Sequence, residues 1–320
     1  MKALLLADFG KPYYPALRKA FPSVDLAEAY DDAETRRHIV DSEIVFGYLT
    51  AEQFDQNRRL RWIQTLDAGM EGLFNRVPQV IDSDVVVTNA RGAGAPMIGE
   101  HAVALMLALS RQLPRFWKDK QDHRWDQDGA LQAVEYLGDK TCGIVGFGKS
   151  GRETGWRAKA LGMNVIAVDK HPVDGDPIVD EVWPLERLED LLRQSDYVVV
   201  TVPYSPENEN LIGEAQLGLM KRTARLVVTS RGRIVEHKSL VKAVKSGAIA
   251  GAGLDTVIKE PLPSDNELWE LPNVIITPHI AGNAEAKLLD ERTVRIFEQN
   301  LGRFLAGKQL VNVVDKKLRY

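Results

Sequence analysis

The chain of 320 residues has a single cysteine, Cys142. One thiol excludes an internal disulfide framework and a thiolate metal cluster, so no metal site is expected and a reducing, cytoplasmic setting is. Long apolar runs are also missing. The longest wholly apolar stretch, Ala102 to Leu109, is too short to span a bilayer. No small-residue cleavage site follows Leu4-Leu5-Leu6, which reads as a first strand rather than a signal peptide. Neither charge dominates: 41 Lys and Arg stand against 45 Asp and Glu, a net of -4. Without a basic stripe, no nucleic-acid partner is expected, and no membrane partner either. Internal repeats and low-complexity segments are absent.

What is present is a soluble, globular composition, 44% hydrophobic and 27% charged, long enough for two domains. Short apolar runs alternate with helical patterns, which argues for parallel sheets covered by helices. Ala3–Leu6, Ile44–Tyr48, Trp62–Leu66 and Val85–Thr88 read as strands of a first domain. Pro96 opens a long helix over Met97 to Gln112 that crosses into a second domain, and Pro114 limits its far end. There, strands are expected at 141–145, 164–168, 197–202, 226–229, 251–254 and 274–277, with helices over 151–161 and 185–194. A last helix over 285–304 runs back to the first domain. The first domain is therefore discontinuous, residues 1–95 with 287–320, around a second domain at 96–286.

The stretch Gly146-Phe147-Gly148-Lys149-Ser150-Gly151 is a G-x-G-x-x-G motif between an expected strand and an expected helix. In that context its glycines allow a tight turn, approach of a pyrophosphate and close helix packing. The helix N-terminus then faces the phosphate charge. Asp169 ends the next strand, placed to accept from a ribose 2′-hydroxyl, and its charge favours NAD over NADP. Lys170 and His171 follow directly and soften that repulsion. A glycine-rich turn serving another adenosyl ligand is the competing reading.

Three polar residues end apolar runs in the second half. Arg231 follows Leu226-Val227-Val228, Glu260 precedes Pro261, and His279 follows Val274-Ile275-Ile276. Strand ends are where open α/β sheets bind ligands. A cation, a carboxylate and an imidazole suit an anionic carbonyl substrate and the transfer of one proton. Each alone reads as a surface or loop residue; the three together carry the argument.

Over nearly its whole length the sequence resembles the D-2-hydroxyacid dehydrogenase family. The resemblance lies in the glycine motif, Met220-Lys221 through Ser230-Arg231-Gly232, Asp255 through Glu260-Pro261-Leu262-Pro263, and Leu271-Pro272-Asn273-Val274 through Thr277-Pro278-His279. Gly92 and Gly99-Glu100-His101 resemble the family's entry to the crossing helix. It implies a Rossmann-type cofactor domain and a flavodoxin-like substrate domain, both doubly wound, and a homodimer. Arg231 would hold the substrate carboxylate, His279 would be acid and base, and Glu260 would orient its ring. Val202, Pro203, Ser230, Asp255 and His279 would flank the NAD, with Asp255 near the nicotinamide. Thr65-Leu66-Asp67-Ala68-Gly69-Met70 resembles the family loop that binds the substrate carboxylate, with Ala68 and Gly69 as donors and Met70 beside them. Formate dehydrogenases of this fold carry an amide beside the histidine, so Glu260 argues against that branch.

Two departures stand out. Asp67 occupies a place where a small neutral residue is expected; its side chain should point away or meet a cation. Thr201 replaces the family's usual histidine before Val202-Pro203. Among the remaining residues, His101 reads as structural, His38, His123 and His237 as solvated, and Cys142 as core. Phe116, Trp117 and Trp125 form either a dimer surface or an arm that buries its own rings. The rival functions are a dinucleotide-sensing binding protein of the same fold and a dehydrogenase for another small oxyanion. The short tail Asp315–Tyr320 and the sparse cations near residues 65–95 argue against them.

Overall fold

A computed structural model describes residues 1–172, 176–283 and 285–319. The chain divides into two compact units, Met1–Ala93 with Glu285–Tyr320, and Gly94–Ala284. Tyr320, the last residue of the tail, lies outside the described residues.

The first unit holds five parallel strands: β1 Lys2–Leu5, β2 Asp25–Glu28, β3 Ile44–Phe46, β4 Trp62–Gln64 and β5 Val86–Thr88. Their order is β2-β1-β3-β4-β5, the flavodoxin-like arrangement, with its switch point between β1 and β3. Alternate residues feed opposite faces. Leu4, Val45, Ile63 and Val87 point into one core layer; Leu5, Phe46 and Trp62 point into the other. The Ala286–Leu305 helix closes the second layer: Phe297 stacks on Phe46 at 4.4 Å and on Trp62 at 5.4 Å. A buried polar chain ties the same helix down. Trp62 Nε1 donates to Thr88 Oγ1, Thr88 donates to Gln64 Oε1, and Asn300 Nδ2 donates to Gln64 Oε1 at 3.1 Å.

The second unit has seven parallel strands: β6 Thr141–Val145, β7 Asn164–Asp169, β8 Glu181–Pro184, β9 Tyr197–Val200, β10 Arg225–Val228, β11 Gly251–Leu254 and β12 Val274–Ile276. The order β12-β11-β10-β9-β6-β7-β8 reverses between β6 and β9, as in dinucleotide-binding sheets. Gly99 of the Ala95–Ser110 helix lies against the backbone of Glu153, where an added Cβ would come within 2.7 Å. That lets this helix and Lys149–Ala160 cover one face together. Cys142 is fully buried in β6, and burial pushes its thiol up to about 12.

Several expected elements shift. The crossing helix runs over Ala95–Ser110, and Gln112 takes a left-handed φ of 55°. Pro114 does not end that helix; it sits in the first turn of the next, Leu113–Gln121, where its missing donor costs nothing. Strands β3, β4 and β9 each stop two residues early, releasing Gly47-Tyr48, Thr65-Leu66 and Thr201-Val202 into loops. The expected 185–194 helix begins with a 3-10 turn at Leu185–Arg187. Edge strands β2 and β8 were missed because charged residues and Pro184 weaken their patterns, which an edge tolerates.

Candidate active site

All strands of the second unit are parallel, so their C-terminal ends share one edge. The candidate residues of this unit follow those ends. After β6, Gly146 turns at φ 96° with Val202 N only 2.8 Å from where a Cβ would lie. A Cβ on Gly151 would strike the Gly146 carbonyl, whereas a Cβ on Gly148 meets nothing within 4 Å. The first and third glycines serve the protein's own packing, and the second leaves an open face beside the helix N-terminus. Thr201 donates to the Gly146 carbonyl at 2.6 Å and so braces the turn. Asp169, ending β7, accepts from Phe147 N at 2.7 Å and from His171 N at 2.8 Å. Its carboxylate keeps further acceptor positions. Lys170 reaches Glu207 at 3.6 Å, not the Asp169 side chain. Among the described residues, the buried hydroxyls of Thr229, Ser230 and Thr256, just beyond β10 and β11, have no hydrogen-bond partner. An open glycine face and unsatisfied hydroxyls along one edge fit a ligand with a phosphate end and a polar ring end.

Arg231 stands where the chain leaves β10, its Nη1 donating to the Ser230 carbonyl at 2.9 Å. Gly232 follows because a Cβ there would strike the backbone of Val257, so the Arg231 turn packs onto the loop leading to Glu260. Glu260 accepts from Val257 N at 3.2 Å through Oε1, and its Oε2 lies 2.6 Å from His279 Nδ1. Both side chains are more than a third exposed. His279 holds a left-handed φ of 54°, sparsely populated for residues with a Cβ.

That backbone is fixed by Asp255, which is 2% exposed. Its carboxylate accepts from Thr277 Oγ1 at 2.7 Å, Ile280 N at 2.9 Å and Ala281 N at 3.0 Å. His101 Nε2 reaches Thr277 Oγ1 at 2.8 Å and joins this network, in line with its structural reading. Sequence reasoning placed Asp255 beside the cofactor and did not foresee its grip on the histidine loop. His237 is not solvated as expected: it is half-buried, 3.1 Å from Asn266 Nδ2, and burial lowers its imidazole below the ordinary value.

In the first unit, Ala68, Gly69 and Met70 follow β4, at the C-terminal edge of that sheet. Asn89 Nδ2 fixes the Ala68 carbonyl at 2.8 Å. Among the described residues, the N–H groups of Ala68 and Gly69 donate to no protein acceptor. Met70, expected beside these donors, is 2% exposed and its side chain belongs to the core, so it offers a ligand little surface. Among the described residues Asp67 meets no cation; it accepts from the Tyr48 hydroxyl. Burial, then that hydrogen bond, pushes the Tyr48 phenol above its ordinary value and keeps it a donor.

Residues 103–281 match the family described as D-isomer specific 2-hydroxyacid dehydrogenase, NAD binding domain. The chain belongs to that family. It is 38% identical to a glycerate dehydrogenase of Methylorubrum extorquens over 239 residues, 72% of each chain. It is 34% identical to a glyoxylate reductase of Korarchaeum cryptofilum, over 84% of this chain and 80% of that one. A D-isomer specific 2-hydroxyacid dehydrogenase from Xanthobacter autotrophicus Py2, solved with NADPH and MES, superposes with a TM-score of 0.82 at 25% identity, covering 100% and 99% of the two chains. The chain is thus an NAD(P)-dependent dehydrogenase that interconverts 2-oxo and 2-hydroxy acids. Among its described residues no helix is long and apolar enough to cross a membrane, and no cluster of three His, Cys, Asp or Glu suits a metal ion.

Proposed function

We propose that this dehydrogenase reduces a small 2-oxo acid to its D-2-hydroxy acid, with His279 as acid and base, Glu260 orienting its ring and Arg231 anchoring the substrate. The observation that carries the reading is the 2.6 Å pairing of His279 Nδ1 with Glu260. With Nδ1 turned to the carboxylate, Nε2 is left to protonate the carbonyl oxygen. The guanidinium of Arg231 offers two parallel donors to a carboxylate and draws charge from the adjacent carbonyl. In the first unit, the open backbone N–H groups of Ala68 and Gly69 suit a carboxylate.

When bound, the reduced nicotinamide supplies hydride to C2. The C=O π bond is replaced by a C–H and an O–H bond, the proton coming from His279 and returning to it in the reverse direction. Gly146 to Gly151 take the pyrophosphate and Asp169 the adenine ribose, with NAD preferred because a carboxylate there repels a 2′-phosphate. Val202, Pro203, Ser230 and Asp255 flank the rest. The names of the relatives support a small acid such as glyoxylate or hydroxypyruvate.

NADH oxidation with a panel of 2-oxo acids tests the reading. Turnover on a small acid that collapses in His279→Ala is expected; NADH binding without reduction of any acid overturns it.

The dimer reading has its own support. Trp125 is 91% exposed and Tyr136 73% exposed, in a segment where Leu113, Trp117 and Leu131 are also exposed. The arm does not bury its own rings, and such a patch suits a second copy of the chain. The buried single thiol supports a cytoplasmic setting. Sedimentation should give twice the chain mass, and Trp125→Ser should lower it.

A further inference from the structure

The loop proposed to bind the substrate carboxylate carries a negative charge of its own. Tyr48 lies just beyond β3 and Asp67 just beyond β4, neighbouring strands on one side of the switch point. The loop backbone is fixed at Asp67 and just after it. Ala90 N donates to the Asp67 carbonyl at 2.9 Å, and Asn89 holds the next carbonyl, of Ala68. The Asp67 side chain is exposed, and its protein partner is the Tyr48 hydroxyl. Arg76 lies over the Tyr48 ring, 4.9 Å from its centre, and braces the phenol.

A carboxylate with one phenolic donor retains acceptor positions toward solvent. Its charge acts on whatever the loop binds, and the repulsion grows with the ligand's charge. A monoanionic 2-oxo acid held by two N–H groups tolerates it. A phosphate or second carboxylate on the same molecule adds charge with no compensating hydrogen bond from Asp67. A hydroxyl offers one.

We propose that Asp67, held by Tyr48, is a specificity residue that accepts a hydrogen bond from a neutral, hydroxyl-bearing substituent and turns away 2-oxo acids carrying a phosphate or a second carboxylate. This rests on the reading of Ala68 and Gly69 as carboxylate donors.

The test compares kcat/KM for hydroxypyruvate and 3-phosphooxypyruvate, with NADH, in the full-length protein and in Asp67→Asn and Asp67→Glu. The native protein should favour hydroxypyruvate. Asp67→Asn keeps an acceptor for Tyr48 but removes the charge. It should shift the ratio toward the phosphorylated acid by about tenfold or more, while Asp67→Glu keeps the preference. Raising ionic strength should shift the ratio toward the phosphorylated acid more in the native protein than in Asp67→Asn. An unchanged ratio in Asp67→Asn, with hydroxypyruvate turnover and NADH binding intact, overturns the inference alone. So does a native preference for the phosphorylated acid. If the native protein binds NADH but reduces no 2-oxo acid, the reading of the function fails and this inference falls with it.

Discussion

The backbone N–H of His279 donates to the carbonyl of Asp255 at 2.9 Å, and the Asp255 side chain accepts the two N–H groups that follow, those of Ile280 and Ala281. One buried acid therefore sets the position of an exposed histidine in a left-handed conformation. In Asp255→Asn the amide accepts one of these N–H groups and turns its own donor toward the other. The cost is about 2 kcal/mol, a fall in Tm of roughly 2–4 °C. Displacement of the ring should lower kcat/KM on the order of a hundredfold. Thermal melts and steady-state kinetics check both. A variant that loses stability but keeps full activity would show that the clamp does not place His279.

The glycines of the fingerprint separate folding from binding. Gly151→Ala drives a methyl into the Gly146 carbonyl and should destabilise the second unit by about 1–3 kcal/mol. Gly148→Ala meets open space, so stability should hold or rise by about 0.5 kcal/mol. The Kd for NADH should nevertheless rise by about tenfold, because the methyl occupies the face offered to the pyrophosphate. Calorimetry beside a thermal melt reads both; an unchanged Kd in Gly148→Ala would remove that face from the cofactor site.

Asp169→Asn keeps an acceptor for Phe147 N and removes the charge. The ratio of kcat/KM for NADPH over NADH should increase by about tenfold. Equal ratios in the two proteins would assign cofactor choice to other residues.

His237 predicts a pH dependence of stability. Burial, opposed by nearby Glu267, lowers the folded imidazole below its ordinary value. The unfolded chain then binds a proton that the folded chain does not, so stability falls as pH drops below the ordinary histidine range. Relative to His237→Gln, the native protein should lose more Tm between pH 7 and pH 5. Parallel pH curves would rule the residue out.

Much of this site was legible because chemistry and pattern coincide. Arg231, Glu260 and His279 each follow a β-branched or apolar run, and parallel strands carry their C-terminal ends to one edge. The glycine spacing likewise states its own geometry. What stayed hidden depends on sheet order. Tyr48 and Asp67 lie 19 residues apart and meet only because β3 pairs with β4. The family resemblance puts Asp255 near the nicotinamide, but its burial and its three donors from the loop after β12 depend on strand order and could not be read from the sequence. The Thr88, Gln64 and Asn300 chain joins residues more than 200 positions apart. Polar residues in a core pattern look like solvent-facing positions until their partners are in place.

Phe297 and Asn300 complete a sheet whose strands are made long before them. On the ribosome, Phe46 and Trp62 emerge with one apolar face uncovered and wait while residues 94–284 are added, roughly 10–40 s at ordinary synthesis rates. The second unit is complete in the growing chain before the first can close. Its order of assembly is thus the reverse of its order of synthesis, and residues 1–93 are the part for which a holding chaperone has the longest opportunity.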